Sequence, residues 1–318
     1  MTPFPSSRKT MNATNGAAEE SDTMLEFPTP TQASPEELRR PDTLTELLGA
    51  AIQHGPLNRR IYLMSMNNAP AEPLIDAMEK LALQNGYTKI FAKVEASRAD
   101  SFVRAGYRTE AEIPGFYRGE ADAAFVCKYF DDERSRDPGL AAVANIVHEA
   151  EANRESAASR PAPSTEGIAI RRCTPEDTPA MATLYRTVFA SYPFPIDDPD
   201  YLLSTMKSHV IYYCIEQDGS IVALSSAETD AKSNTAEMTD FATDPDFRGR
   251  GAARLLLSTM EEEMRRTDTR CLYTISRGRS VPVNRLFGSA GYDFGGILIN
   301  NTHIGGQLES MTVWHKRI

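Results

Sequence analysis

Residues 235–267, TAEMTDFATDPDFRGRGAARLLLSTMEEEMRRT, constrain the fold more than any other stretch. The first nine residues read as a strand, and Asp244-Pro245 reads as a turn. From Arg248 to Thr267 the period becomes helical. Leu256, Met260 and Met264 recur every four residues, and the pairs Glu261–Arg265 and Glu262–Arg266 support the helix. A strand that enters a helix through Arg248-Gly249-Arg250-Gly251 has a specific chemistry. The first amides of a helix lack internal partners and point outward. The helix dipole adds positive potential there, which suits a phosphate. Gly249 and Gly251 carry no Cβ to block the backbone, and Arg248 and Arg250 add charged donors. The alternative is a plain turn flanked by two surface arginines.

The elements around this junction predict a mixed sheet. From residue 168 to 318 the order reads β-α-β-β-β-α-β-α-β-β. Strands are expected over 168–174, 235–243 and 271–277. Hairpins are expected at Asp218-Gly219 and Gly305-Gly306, and helices over 175–191, 248–267 and 283–291. Such alternation implies an α/β (α+β) fold with helices on the faces of the sheet. Upstream, residues 1–41 have no sustained period and read as a mobile, disordered arm. Residues 42–130 are patterned. Residues 131–167 read as a linker with a helix over 141–155.

Composition narrows the function. A formal net charge of −10 over 318 residues argues against nucleic-acid binding by phosphate neutralisation. It fits a small cationic substrate without selecting one. Cys127, Cys173, Cys214 and Cys271 form no C-x-x-C pair, so buried thiols are expected, with neither a metal site nor a disulfide framework. No apolar run approaches the roughly 20 residues of a membrane span. No secretory signal is recognised, so a cytoplasmic location is expected. The oligomeric state is not readable.

Residues 248–253, RGRGAA, resemble the R/Q-x-x-G-x-G/A signature of the Gcn5-related N-acetyltransferases (GNAT). Phe287-x-x-x-Gly291-Tyr292 resembles a later motif of that family, and the likeness covers about 168–317. The resemblance implies a GNAT-like mixed, mostly antiparallel sheet, with acetyl-CoA as acetyl donor and no metal. It implies that the amides of Arg248, Gly249, Arg250, Gly251, Ala252 and Ala253 hold the cofactor's diphosphate. The backbone of Phe241, Ala242 and Thr243 would pair with the pantetheine arm, and Asn284 and Phe287 would lie in the cofactor-contacting region. Residues 191–202, SYPFPIDDPDYL, with 295–316 and 92–117, resemble the beta-lysine N-acetyltransferases. Those enzymes acetylate the terminal amine of 3,6-diaminohexanoate to make a compatible solute.

The N-terminal region echoes the C-terminal one. Phe102-Val-Arg-Ala-Gly-Tyr107 matches Phe287-Gly-Ser-Ala-Gly-Tyr292 at four of six positions, and each follows a short apolar strand. Between the strand RIYLMSM and a helix over 73–84 lies NNAPAEP, which has no glycine. Pro70 and Pro73 have no N–H to donate, and Glu72 would repel a phosphate. Residues 42–130 are therefore expected to be a partial, non-catalytic GNAT-like domain packed on a catalytic domain over 168–318. A chance match of six residues is the alternative, because Ala-Gly-Tyr after a helix is common.

An amine of reference pKa ~10.4 is mostly protonated at neutral pH, so acetyl transfer needs a proton acceptor. Glu237 and Asp240 are the base candidates, with the resemblance favouring Glu237. They are three residues apart and face opposite sides of a regular strand unless a bulge intervenes. The family's usual acid is a Tyr where this chain has Phe287, so Tyr292, another group or water must protonate the leaving thiolate. For a diamino acid, Asp197, Asp198 and Glu309 are candidates for ammonium groups. Asn300, Asn301 and Thr302 are candidates for the carboxylate or amines, and Tyr192 and Phe194 for the pocket wall. Turn and cap roles compete for Asn300-Asn301 and for Asp197-Asp198-Pro199. Other small amines, polyamines included, and a non-catalytic acyl-CoA sensor are the rival readings.

Overall fold

The computed structural model describes residues 42–154, 163–190 and 192–318. The expected arm, 1–41, and the stretch 155–162 of the expected linker lie outside the described residues. The first half contains β1 (Thr43–Leu47), β2 (Ala50–Gly55), β3 (Arg60–Ser65), α1 (Ala71–Gln84), β4 (Lys89–Glu95), α2 (Ala99–Arg104), β5 (Arg108–Tyr117) and β6 (Ala121–Tyr129). Helix α3 (Leu140–Ala152) follows. The second half contains β7 (Ala169–Arg172), α4 (Thr178–Val188), α5 (Pro199–Met206), β8 (Val210–Gln217), β9 (Ser220–Asp230) and β10 (Thr235–Thr243). It ends with α6 (Ala252–Arg265), β11 (Cys271–Arg277), α7 (Val281–Ser289), β12 (Asp293–Ile304) and β13 (Gln307–Arg317).

Local signals explain most of these elements. Asp218 and Gly219 both have positive φ, as the two-residue turn between β8 and β9 demands. Helix α5 is an addition to the expected order. Asp198 caps it by accepting from the Asp200 amide at 3.0 Å, and Pro199 occupies its first position. Among the described residues, no helix is long and apolar enough to cross a membrane. All four cysteines are buried free thiols.

Thirteen strands among the described residues form one sheet, in the order β1-β2-β3-β4-β6-β5-β12-β13-β11-β10-β9-β8-β7. Only β3–β4 and β10–β11 pair in parallel, each joined through a helix. Read inward from both ends, β2-β3-β4-β6-β5 repeats β9-β10-β11-β13-β12. The helices α2 and α7 also end alike. Phe102 meets Tyr107 edge-on at 5.3 Å, and Phe287 meets Tyr292 edge-on at 5.0 Å. In each case the tyrosine amide donates to the phenylalanine carbonyl, at 3.0 and 3.1 Å. The six-residue likeness thus falls at equivalent places in two stretches of like strand order.

The halves join where β5 meets β12 at Ala111 and Gly296. Gly296 has φ +144°, and an added Cβ would lie 2.2 Å from the Glu110 carbonyl oxygen and 2.6 Å from the Ala111 Cα. Only glycine permits that approach of two backbones. Four apolar layers follow. Helices α1 and α2 cover one face of the first half. Helices α3, α6 and α7 cover one face of the second, and α4 and α5 pack on its other face beside β8–β10. The remaining layer lies between the halves, where Phe91, Phe116 and Phe125 meet Cys271, Tyr273 and Val313. Each such phenylalanine contributes about 1.5–3 kcal/mol by its burial.

Gly296→Val forces the two backbones apart. The expected cost is roughly 3 kcal/mol, or a fall in Tm of about 6–12 °C. A thermal melt of the variant within about 2 °C of the wild type would show that the junction does not need glycine.

Candidate active site

Strand β10 sets the site through two irregularities. It pairs with β9 as far as Thr239, shifts register, and resumes at Ala242. At the shift, Asp240 has φ +56°, a left-handed conformation uncommon for a non-glycine residue. A regular strand would point Glu237 and Asp240 to opposite faces. The bulge turns Asp240 to the face that carries Glu237, and both line one cavity. On its other edge β10 pairs with β11 only from Thr235 to Glu237. Beyond that the strands separate. The Glu237 carboxylate bridges the start of the gap by accepting from the Ile275 amide at 3.3 Å.

The cavity measures about 830 Å³. The second half supplies Glu228, Glu237, Asp240, Tyr192 and Phe194, and the first supplies Arg60, Tyr62, Phe91 and Lys93. Glu228 stands directly opposite Glu237 across the β9–β10 ladder. Burial and the charges of Asp240 and Glu237 hold the Glu228 carboxyl well above the usual range. Burial also raises Glu237 against the pull of Lys93. It raises Asp240 despite hydrogen bonds from the Tyr192 hydroxyl and, at 2.7 Å, from the Ser226 hydroxyl. Lys93 is lowered by burial, with Glu237, Asp230 and Glu228 opposing. Its ammonium lies over the rings of Phe116 and Tyr273. Three carboxyl groups thus face one lysine in a confined space, an arrangement that attracts a cation and raises the proton affinity of the acids.

The glycine junction lies at the C-terminal end of the same strand. Gly249 and Gly251 have φ of +80° and +81°, and Gly251 starts α6 without any side chain capping it. Arg248, Gly249 and Arg250 are exposed. A Cβ on Gly249 would meet nothing within 4 Å, whereas one on Gly251 would lie 2.8 Å from the Pro163 ring, so the open space lies over Gly249. The Arg250 guanidinium rests on Phe247 at 4.9 Å, and Arg248 Nε donates to the Thr243 carbonyl at 3.4 Å. Uncapped amides, left-handed glycines and two arginines fit a diphosphate.

Other expected site residues sit elsewhere. Asn284 is fully buried. Its amide nitrogen donates to the carbonyls of Arg277 and Ser280 at 3.0 and 2.9 Å, and its oxygen accepts from Thr312 and Trp314 at 2.7 and 3.0 Å. It braces the turn between β11 and α7 and is not free to contact a cofactor. Phe287 is a core residue, edge-on to Phe241 and Tyr292. Tyr292 is buried in that same core beside Glu261, on the side of the sheet covered by α6 and α7, so it is not a cleft acid. Asp197 is exposed near Arg186 and does not line the cavity. Glu309 is fully buried in an ion pair with Arg277. Asn300 donates to the carbonyls of Arg134 and Arg136 at 3.1 and 2.9 Å, which pins the segment after β6. Of the candidates in 300–302, Asn301 and Thr302 line the cavity.

Arg60, Tyr62, Phe91, Lys93, Glu228 and Tyr273 were not among the sequence candidates. Alternation within RIYLMS and KIFAKVE marks the polar and aromatic members as sharing one face. Nothing local says that this face opens onto the other half's acids.

The raised Glu228 carboxyl has a consequence for stability. The folded state binds its proton more tightly than the unfolded chain does. Its contribution is therefore complete below the unfolded carboxyl range, about pH 4.3, and is lost as pH rises through the raised folded value. Glu228→Gln is expected to raise Tm by about 2–4 °C at pH 8, with the gain vanishing near pH 4.5. Melts across that range check it. A loss of stability at pH 8 would mean that Lys93 needs this carboxylate more than burial disfavours it.

The profile of the Acetyltransferase (GNAT) family matches residues 179–292, which include β10, the glycine junction and α7. The Beta-lysine N(6)-acetyltransferase of Methanococcus maripaludis is 34% identical over 278 residues, covering 86% of this chain and 98% of its own. The Beta-lysine N(6)-acetyltransferase of Methanosarcina mazei is 40% identical over 149 residues, 47% of this chain and 55% of its own. N-acetyltransferase YodP of Bacillus subtilis is 27% identical over 269 residues, 85% of this chain and 96% of its own. With a full-length relative at this identity and the family profile across the β10–α6 junction, the chain belongs to the GNAT family of acetyltransferases.

Proposed function

We propose that the chain transfers the acetyl group of acetyl-CoA to the terminal N6 amine of β-lysine, by direct transfer in a ternary complex. The observation that carries this reading is the three-carboxylate cavity beside the gap between β10 and β11. Two relatives that bear the name Beta-lysine N(6)-acetyltransferase support the choice of amine.

In this reading the diphosphate rests on the amides from Arg248 to Ala253, and the pantetheine arm runs along Phe241, Ala242 and Thr243 into the gap. The substrate enters as a cation and is drawn to Glu228, Glu237 and Asp240. Glu237 takes a proton from the terminal ammonium, and the raised affinity of its carboxylate suits that role. The freed nitrogen attacks the thioester carbonyl carbon. A C–N bond forms, the C–S bond breaks, the nitrogen releases its second proton to solvent as the amide forms, and coenzyme A leaves as a thiolate that takes up a proton from solvent. β-Lysine carries two ammonium groups and one carboxylate, and acetylation removes one positive charge. The product is a neutral zwitterion, a charge type suited to accumulation as a compatible solute.

Acetyl transfer to β-lysine and to α-lysine, with the product position read by mass spectrometry, tests the substrate. N6-acetyl-β-lysine as the dominant product is expected; preferential acetylation of α-lysine would refute the assignment. Glu237→Gln is expected to lower kcat by about 100-fold or more, with acetyl-CoA affinity unchanged. An unaltered kcat between pH 6 and 9 would remove Glu237 as the base.

A further inference from the structure

The end of the cavity around Arg60 carries no role in the chemistry above, yet several polar atoms there lack partners. Arg60 is 4% exposed and lines the cavity. Its Nη1 donates to the Asn301 carbonyl at 2.7 Å and the Thr302 hydroxyl at 3.0 Å, both neutral acceptors. Its Nε has no partner. Among the described residues, no carboxylate lies within ion-pair distance of Arg60. Asp42, whose charge acts on it, is held by the Asn58 amide at 2.7 Å. Arg134 adds a second buried cation nearby. A buried guanidinium without a counter-ion is unfavourable, so an anion that arrives there is bound strongly.

Two more unpartnered atoms stand on the same wall. Gln53 faces Tyr62 across the β2–β3 ladder, so it shares a face with Tyr62 and Arg60. It is 1% exposed, lines the cavity, and its Nε2 has no partner. Asn301 is equally buried, and its Oδ1 has none. Between this wall and the carboxylates lies Tyr62, stacked on Phe91 at 4.4 Å and acted on by both Glu237 and Arg60. The cavity is therefore cationic and donor-rich at one end, aromatic in the middle and anionic at the other.

The geometry points to a head-group anchor to which both halves contribute: Arg60 and Gln53 of the first half bind the carboxylate of the amino-acid substrate, and Asn301 Oδ1 of the second accepts from the ammonium beside that carboxylate. The methylene stem lies along Tyr62 and Phe91, and the terminal amine reaches the acids. The anchor rests on the reading of the cavity as the amine site. It makes the first half part of the substrate pocket, selects amino acids over polyamines, and assigns Arg60 to specificity and not to the acetyl transfer itself.

The test compares substrates that differ only in the carboxylate. β-Lysine is paired with 1,4-diaminopentane, in which hydrogen replaces the carboxylate, and α-lysine with 1,5-diaminopentane. The wild-type protein is expected to favour β-lysine over its diamine by about 100-fold or more in kcat/KM, mostly through KM. Arg60→Met is expected to lower kcat/KM for β-lysine by about 50-fold while changing that for the diamine less than about threefold. Equal losses on both substrates overturn the anchor. So does a wild-type preference below about threefold within both pairs, and that result leaves β-lysine acetylation standing. If α-lysine is the better substrate, the β-lysine reading fails and the anchor is judged on the second pair. Should Arg60→Met not fold, Gln53→Leu takes its place. A rise in KM of about threefold or more for the carboxylate-bearing substrate alone supports the anchor, and an equal change for both members of a pair overturns it.

Discussion

One buried ion pair ties the molecule together. Lys89 and Glu110, 0% and 3% exposed, meet at 3.1 Å and hold the backbone of Ile299 from both sides. Lys89 donates to the Ile299 carbonyl at 2.7 Å, and the Glu110 carboxylate accepts from its amide at 3.1 Å. These groups are free because β12 slips register against β13 between Leu298 and Thr302. A buried backbone group without a partner is costly, so the slip survives only because the first half satisfies it. Arg134 on the Asn300 carbonyl and Arg60 on that of Asn301 continue the pattern. The bulge brings Asn301 to the cavity and locks the two halves into one pocket.

A second bulge, at Asp240, shapes the cavity more directly. It stores local strain in a left-handed aspartate, and hydrogen bonds from Tyr192 and Ser226 hold the side chain in place. The outcome is two acids on one face three residues apart, with Glu228 opposite. Such crowding disfavours full ionisation and raises the proton affinity of the acids. Lys93, reaching in from the first half, moderates the crowding and helps keep Glu237 charged.

The repeated unit shows how one connection can differ in chemistry while the topology stays. Both β3–α1–β4 and β10–α6–β11 are parallel crossovers. Helix α6 starts at a left-handed glycine with exposed arginines beside it. Helix α1 starts after Pro70 and carries Glu72 in its first turn, where that carboxylate meets Ser101 and Arg104. The positive helix start is already served by an acid of the chain itself. The repeat keeps the sheet, and only one copy starts its helix at left-handed glycines flanked by exposed arginines.

The sequence by itself determined what depends on neighbours along the chain. Strand and helix periods, the Asp218-Gly219 hairpin, the glycine start of α6 and the alikeness of Phe102–Tyr107 and Phe287–Tyr292 are local patterns, and they survive as structure. Glu237, Asp240, Tyr192, Phe194 and Asn301 also reach the cavity, because each lies on or beside an element the pattern identified. What only the tertiary structure decided were the long-range pairings. Asn284, Tyr292 and Glu309 look functional in the chain, yet partners on distant strands claim Asn284 and Glu309, and the core under α6 and α7 encloses Tyr292. Arg60, Lys93 and Glu228 look ordinary, yet one face of the first half closes over the acids of the second. A strand's alternation says which side chains share a face; the folding of one sheet against itself decides what that face meets.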